Sequence, residues 1–263
     1  MIRTNLMQPN GVHKIVERAG CFSLLEYERD VSTSPYTAAA AFYAAQMNVR
    51  KRQVIAELRG NGVTIQAGAM QMMIGGVEAA TNIKSAGDLM KKFVGSKVTG
   101  ESTIKPQYVG NGLLVLEPTY RYVLFEDMAN WNGKMVIDDG LFLACDSTVN
   151  MSVSARSTLS SAVLGGQGLF NTALSGTGIA VLESPVPREE LIEVVLDNDV
   201  LKVDGSMAIA WSESLNFTVE RTTKTLIGSA ASKEGLVNVY RGSGRVLISP
   251  IAEESGMSTP NVE

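Results

Sequence analysis

One short pattern occurs three times at a fixed interval. Gly110-Asn111-Gly112 runs into Leu113 to Pro118, Gly176-Thr177-Gly178 into Ile179 to Pro185, and Gly242-Ser243-Gly244 into Arg245 to Pro250, each copy 66 residues after the last. A Gly-x-Gly turn, an apolar run of strand type and a closing proline spell a hairpin, a strand and its stop. Three copies in equal register predict a triplicated β-fold. Other elements recur in the same order. Asp139-Gly140 precedes Leu141 to Ala144, and Asp204-Gly205 precedes Ser206 to Trp211, 65 residues later. Ala67-Gly68-Ala69-Met70 occupies the first position without the aspartate, and Gly168-Leu169-Phe170 matches Gly235-Leu236-Val237. Asp-Gly ahead of a strand favours a tight turn, because glycine reaches positive φ without strain and aspartate bonds nearby backbone. That structural role outweighs a catalytic one for Asp139, Gly140, Asp204 and Gly205.

Length and composition agree with one body rather than two. The chain has 263 residues, 45% of them apolar, and 25 glycines, enough for a large core without a signature of disorder. A net charge of −4 gives no global field that would gather nucleic acid or an anionic membrane. Cys21 and Cys145 have no metal-ligand spacing and read as buried thiols in a reducing compartment. Glu17, Glu26, Glu28 and Asp30 argue against a secretory or mitochondrial leader. The most apolar helical stretch, Thr37 to Met47, is far shorter than the ~20 residues that cross a bilayer. The expectation is a soluble, cytoplasmic protein that is not transmembrane.

Along the chain, residues 1–48 read as an N-terminal extension with one helix, 49–251 as the β-body and 252–263 as a disordered tail. Cys21 to Tyr27 fits either a strand or a short helix. Ser34-Pro35 followed by Tyr36 to Gln46 supplies a cap candidate, proline at the first helical position and an alanine-rich body. Val54, Ala56 and Leu58 alternate on one strand face, and Asn61-Gly62 predicts a type I′ hairpin into Val63-Thr64-Ile65. Between 87 and 97, Leu89, Met90, Phe93 and Val94 against Lys91, Lys92 and Lys97 have helical spacing. This segment reads as a helix capping the β-body with its lysines in water, and it leaves peripheral membrane contact open.

From Gly68 to Pro250 the chain resembles the bacterial and mitochondrial AIM family, the "altered inheritance of mitochondria" proteins. The resemblance rests on Gly68-Ala69-Met70, Gly100-Glu101-Ser102 through Gly110-Asn111-Gly112, and Asp139-Gly140-Leu141-Phe142-Leu143-Ala144. It continues in Gly166-Gln167-Gly168-Leu169-Phe170, Val203-Asp204-Gly205 to Trp211, and Glu234-Gly235-Leu236 to Gly242-Ser243-Gly244. It implies a fold similar to the tryptophan RNA-binding attenuation protein: TRAP-like β-sandwich or double-stranded β-helix units about a pseudo-threefold axis. It carries no catalytic residues, and mitochondrial members are implicated in inner-membrane organisation.

The chemistries that can be weighed are few. A metal-dependent double-stranded β-helix enzyme wants two or three histidines, and this chain has His13 alone. No G-x-S-x-G motif supports histidine-dependent nucleophilic catalysis. Paired carboxylates for glycoside hydrolysis are not singled out among the 27 acids. The Gly-x-Gly copies lack the P-loop pattern and lead into strands rather than helices, which argues against phosphate binding. Nucleic acid is disfavoured too. Aromatics are 6% of the chain, Arg50-Lys51-Arg52 reads as a solvated strand edge, and Tyr120-Arg121-Tyr122 is the one interleaved aromatic-basic triplet. Met70, Met72 and Met73 read as filler of irregular core space. The expectation is therefore a non-catalytic structural or interaction protein, with no cofactor and no metal, that self-associates or meets an unknown protein partner. The alternative is an oligomeric module binding a small apolar ligand or nucleic acid.

Overall fold

The computed structural model describes residues 3–80, 105–155, 170–204, 207–221 and 236–251. Among them are fifteen strands and one α-helix, so the chain is all-β in class. The 87–97 segment and the 252–263 tail lie outside the described residues.

After an opening hairpin of β1 (His13–Ala19) and β2 (Phe22–Tyr27) and the helix α1 (Ala38–Gln46), the strands fall into three groups. The first holds β3 (Arg52–Ile65), β4 (Met70–Ala80) and β5 (Gln107–Leu116). The second holds β6 (Tyr122–Asp127), β7 (Lys134–Ile137), β8 (Phe142–Asp146), β9 (Val149–Ala155), β10 (Phe170–Gly176) and β11 (Ile179–Ser184). The third holds β12 (Ile192–Asp204), β13 (Ala208–Ser212), β14 (Asn216–Arg221) and β15 (Leu236–Ile248).

Each group uses the same antiparallel pairing, in which the last path of the group lies between the first and the second. β5 pairs β3 through Ile55↔Val115 and β4 through Met73↔Leu114. In the second group each path is broken in two. β11 pairs β6 and β8 (Leu182↔Leu124, Ala180↔Cys145), while β10 pairs β7 and β9 (Ala173↔Val136, Gly176↔Val149). β15 pairs β12, β13 and β14 (Tyr240↔Leu201, Val246↔Trp211, Tyr240↔Phe217). Short ladders join successive groups: β3 to β8 through Thr64↔Cys145, and β7 to β13 through Val136↔Trp211. A ring of three groups needs three such junctions, and the described residues hold two.

The cores follow this order. Val54, Ala56, Leu58 and Leu114 of the first group pack with Leu143, Ala144 and Val181 of the second. Trp131, Ile137 and Leu182 pack with Ile209, Ala210 and Leu247 of the third. A further cluster joins Trp211 and Tyr240 to Val136 and Ala173. Ile55, opposite in face to Val54, packs with Leu25 and Val115, so β3 is covered on both sides.

Several local expectations are corrected. Of the stretch left open between strand and helix, Phe22 to Tyr27 is strand, because Phe22 and Leu24 are buried and β2 pairs β3 through Phe22↔Ala56. The 1–48 extension therefore contributes strands to the body's first sheet. The helix starts at Ala38 with Thr37 at its N-cap, while Ser34 Oγ accepts the Thr37 N–H at 3.3 Å one turn earlier. Asn61-Gly62 is not a hairpin but a bulge inside β3, where the register against β5 shifts between Arg59 and Gly62. There Asn61 Oδ1 accepts the Arg59 N–H at 2.7 Å.

The Gly-x-Gly copies are likewise not hairpin turns. Gly110 and Gly112 lie inside β5, Gly242 and Gly244 lie inside β15, and Gly176 and Gly178 flank the break between β10 and β11. Gly110, Gly112 and Gly176 serve close approach of two backbones. A Cβ on Gly110 would overlap the Gly76 carbonyl, one on Gly112 the Ile74 carbonyl and one on Gly176 the Thr148 carbonyl. On Gly178 it would sit 2.6 Å from Asp146 Oδ2, and on Gly244 2.8 Å from Ser212 Cβ. Opposite each pair the first path of the group is interrupted: by the Arg59–Gly62 bulge, by the 3₁₀ turn Met128–Trp131, and by a register shift between Leu196 and Asp199.

Asp139-Gly140 does turn the chain, with Gly140 at φ +78° and its N–H donated to Asp139 Oδ1 at 3.1 Å. Asp204 ends β12, and Gly205 lies outside the described residues.

Candidate functional surfaces

The glycine junctions are the places where sequence repeats and geometry meet. At the second, the N–H of Ile179 donates to Asp146 Oδ2 at 2.8 Å. At the third, the N–H of Arg245 donates to Ser212 Oγ at 3.0 Å from the corresponding place. The Thr148 hydroxyl donates to the Thr177 carbonyl at 2.5 Å, as the Ser214 hydroxyl does to the Ser243 carbonyl at 2.9 Å. These N–H groups already have acceptors, one of them a carboxylate, and an incoming phosphate would meet that carboxylate first.

Cys21 donates its thiol to Asp146 Oδ1 at 3.5 Å. Burial, then the Asp146 charge, push the Cys21 thiol up to about 12, and the same two causes push Cys145 to about 12. Both thiols favour the protonated form at neutral pH.

A polar cluster with no sequence signal surrounds the 3₁₀ turn. Asp127 caps the turn by accepting the Ala129 N–H at 2.9 Å, and buried Trp131 donates its indole N–H to Glu126 Oε2 at 3.1 Å. Arg188 stands 3.7 Å from the other Glu126 oxygen and 2.9 Å from Glu193, and Arg245 joins Glu193 at 3.1 Å while lying over the Trp131 ring. Burial raises the Glu126 carboxyl above its ordinary value, against the lowering pull of Trp131 and Arg188. Burial and Glu126 in turn raise Glu17. The donors around Glu126 anchor a turn. No periodicity or motif marks these residues, because they converge from separate strands.

The basic triplet is also corrected. Arg50, Lys51 and Arg52 are not a solvated edge: Arg50 and Arg52 meet Glu26 at 3.1 and 3.2 Å, and Lys51 meets Asp30 at 3.2 Å. Arg52 is buried with its guanidinium over the Tyr122 ring, so the aromatic-basic triplet at 120–122 is partly consumed in packing. Acids hold the cations that a nucleic-acid backbone would need.

Part of what the molecule exposes is apolar. Helix α1 buries no residue; Phe42 and Tyr43 stack edge to face on it with Tyr36 and Met47 nearby, all exposed. Met72 and Met73, expected in the core, are 38% and 42% exposed on β4. Ile192, Val195 and Val200 are exposed on β12. β4 pairs β5 alone and β12 pairs β15 alone, so each presents an open edge among the described residues. A cleft of about 350 Å³ lies between the N-terminal residues Thr4 and Met7 and the first junction, lined also by Glu57, Leu58, Gly112 and Leu113. The described residues contain no group of three or more His, Cys, Asp or Glu side chains placed to hold a metal, and no helix long and apolar enough to cross a membrane.

The family model described as mitochondrial biogenesis AIM24 matches residues 43–251. The chain belongs to that family. Among solved structures it is similar to a crystal structure of a Streptococcus pyogenes protein, with 25% identity and a TM-score of 0.57, over 78% of this chain and 90% of that one. No curated protein matches it.

Proposed function

We propose that this chain is a non-catalytic structural or interaction protein that works by associating with copies of itself, in a role within the mitochondrial biogenesis description of its family. The observation that carries this reading is that two of the open sheet edges, β4 and β12, bear exposed Met72, Met73, Val195 and Val200. An open edge templates further pairing unless it is covered or charged, and β4 from Met70 to Val77 carries no charge. Cys21 and Cys145 are free rather than disulfide-bonded, which fits a reducing compartment such as the cytoplasm. Light scattering on the eluting full-length protein across a concentration series tests the reading. An assembly larger than one chain is expected, and a monomer at every concentration would overturn it.

A second reading has one observation in its favour. The cleft beside Gly112 reaches the lower end of the ~300–1,000 Å³ that small-molecule sites occupy. Native mass spectrometry separates the two: a discrete extra mass lost on denaturation supports a ligand module, and bare assembled protein supports the interaction reading.

A further inference from the structure

The two junctions between strand groups obey one register rule. At the first, Val63, Thr64 and Ile65 of β3 pair with Asp146, Cys145 and Ala144 of β8. At the second, Met135, Val136 and Ile137 of β7 pair with Ser212, Trp211 and Ala210 of β13. In both, the late part of a group's first path meets the early part of the next group's second path. The residues that would make a third junction follow from ladders within the groups. Val63, Met135 and Leu201 hold one position, since they face Tyr108, Leu174 and Tyr240, which are spaced at the repeat interval. Met73, Cys145 and Trp211 likewise hold one position, facing Leu114, Ala180 and Val246. The third junction would therefore pair Leu201, Lys202 and Val203 of β12 with Ile74, Met73 and Met72 of β4.

Among the described residues of one chain these segments are not paired, and no core cluster there contains residues of both the first and the third groups. The β4 segment from Met70 to Val77 has no charge and no proline, and Met72 and Met73 are exposed. It lacks the devices that protect a free edge. From this we propose that β12 of one copy adds to β4 of a second copy in that register, continuing the junction already used twice inside the chain. The proposal rests on the self-association reading above and names its surface. Such a contact is head to tail, so it builds a ring or an open filament according to the rotation per step.

Mixing full-length Met73→Cys with full-length Lys202→Cys under mild oxidation tests the register, since directly opposed strand residues lie within disulfide reach. The native thiols, held near 12, compete poorly. A mixed disulfide dimer that forms faster than either variant forms with itself supports the proposal. In the double variant, a disulfide closed within one chain would overturn it. An assembly seen by light scattering without the mixed disulfide would overturn this register and leave self-association standing, whereas a monomer throughout would overturn both. Met73→Lys, which sets like charges opposite each other, should weaken assembly several-fold, and adding Lys202→Glu should restore it. Equal assembly in all three proteins would also overturn the register.

Discussion

The first and third glycine pairs share a sequence pattern and a place in their ladders, yet they are crowded by different things. At the first, Cβ atoms on Gly110 and Gly112 would overlap backbone carbonyls of the facing strand β4. At the third, Gly242 has its nearest neighbour 3.8 Å away, and Gly244 would press on the side chains of Ser212 and Leu215. A carbonyl in a ladder cannot step aside without breaking the ladder, whereas a side chain can change rotamer. The first pair is thus demanded by backbone packing, and Gly242 mainly by its φ of +117°.

The largest test of this contrast is Gly112→Ala. Overpacking against a carbonyl and a positive φ act together, for a loss of roughly 3–5 kcal/mol. Urea denaturation should show the midpoint falling sharply or the first group failing to fold. A loss under 1 kcal/mol would mean β4 can move away, and the contrast would collapse.

Next comes Asp146→Ala at the middle junction. It removes a charged acceptor from the Ile179 N–H, worth about 2 kcal/mol. It also deletes the second-largest cause of the raised Cys21 thiol, whose largest cause, burial, remains. Cys21 should become more reactive at a given alkaline pH while still titrating above its ordinary value. Unchanged thiol kinetics with normal folding would show that Asp146 does not couple to Cys21.

Gly242→Ala should cost only about 1 kcal/mol, since backbone strain is partly offset by a stiffer unfolded chain. A cost equal to that of Gly112→Ala would erase the distinction between the two pairs. Thermal unfolding of the two variants side by side decides it.

These differences explain which parts of the fold could be read in sequence. The Val54, Ala56, Leu58 alternation is a local signal, and it sits in the expected strand context. In sequence the Gly-x-Gly copies read as turns, because the pattern is written alike for a hairpin and for a crowded or positive-φ place inside a strand. Only the partner strand distinguishes them. Met72 and Met73 belong to a strand that pairs β5 alone, and apolarity by itself does not tell an open edge from a core. Glu126, Trp131, Arg188 and Arg245 gather from β6, the 3₁₀ turns Met128–Trp131 and Arg188–Glu190, and β15, with no spacing that a linear pattern could reveal.

That cluster also separates the middle group from the other two, because there the first path breaks into a turn built around a buried acid. The expected effect on stability is the smallest, and it lies in the pH dependence. Burial raises Glu126 above its ordinary 4.5, and Glu126 helps raise Glu17 in the same direction. The folded state therefore binds protons more tightly than the unfolded chain at this site. Its contribution is fully present below the unfolded value and is lost as pH rises through the folded one. Glu126→Gln keeps an acceptor for the Trp131 indole and leaves Arg188 paired with Glu193, while it removes the titration and relaxes Glu17. The variant should gain stability relative to wild type as pH is raised from about 4.5 towards neutrality. Parallel stability curves for the two proteins over that range would show that the Glu126 carboxyl titrates alike in both states, and the middle group would then differ from its neighbours in shape alone.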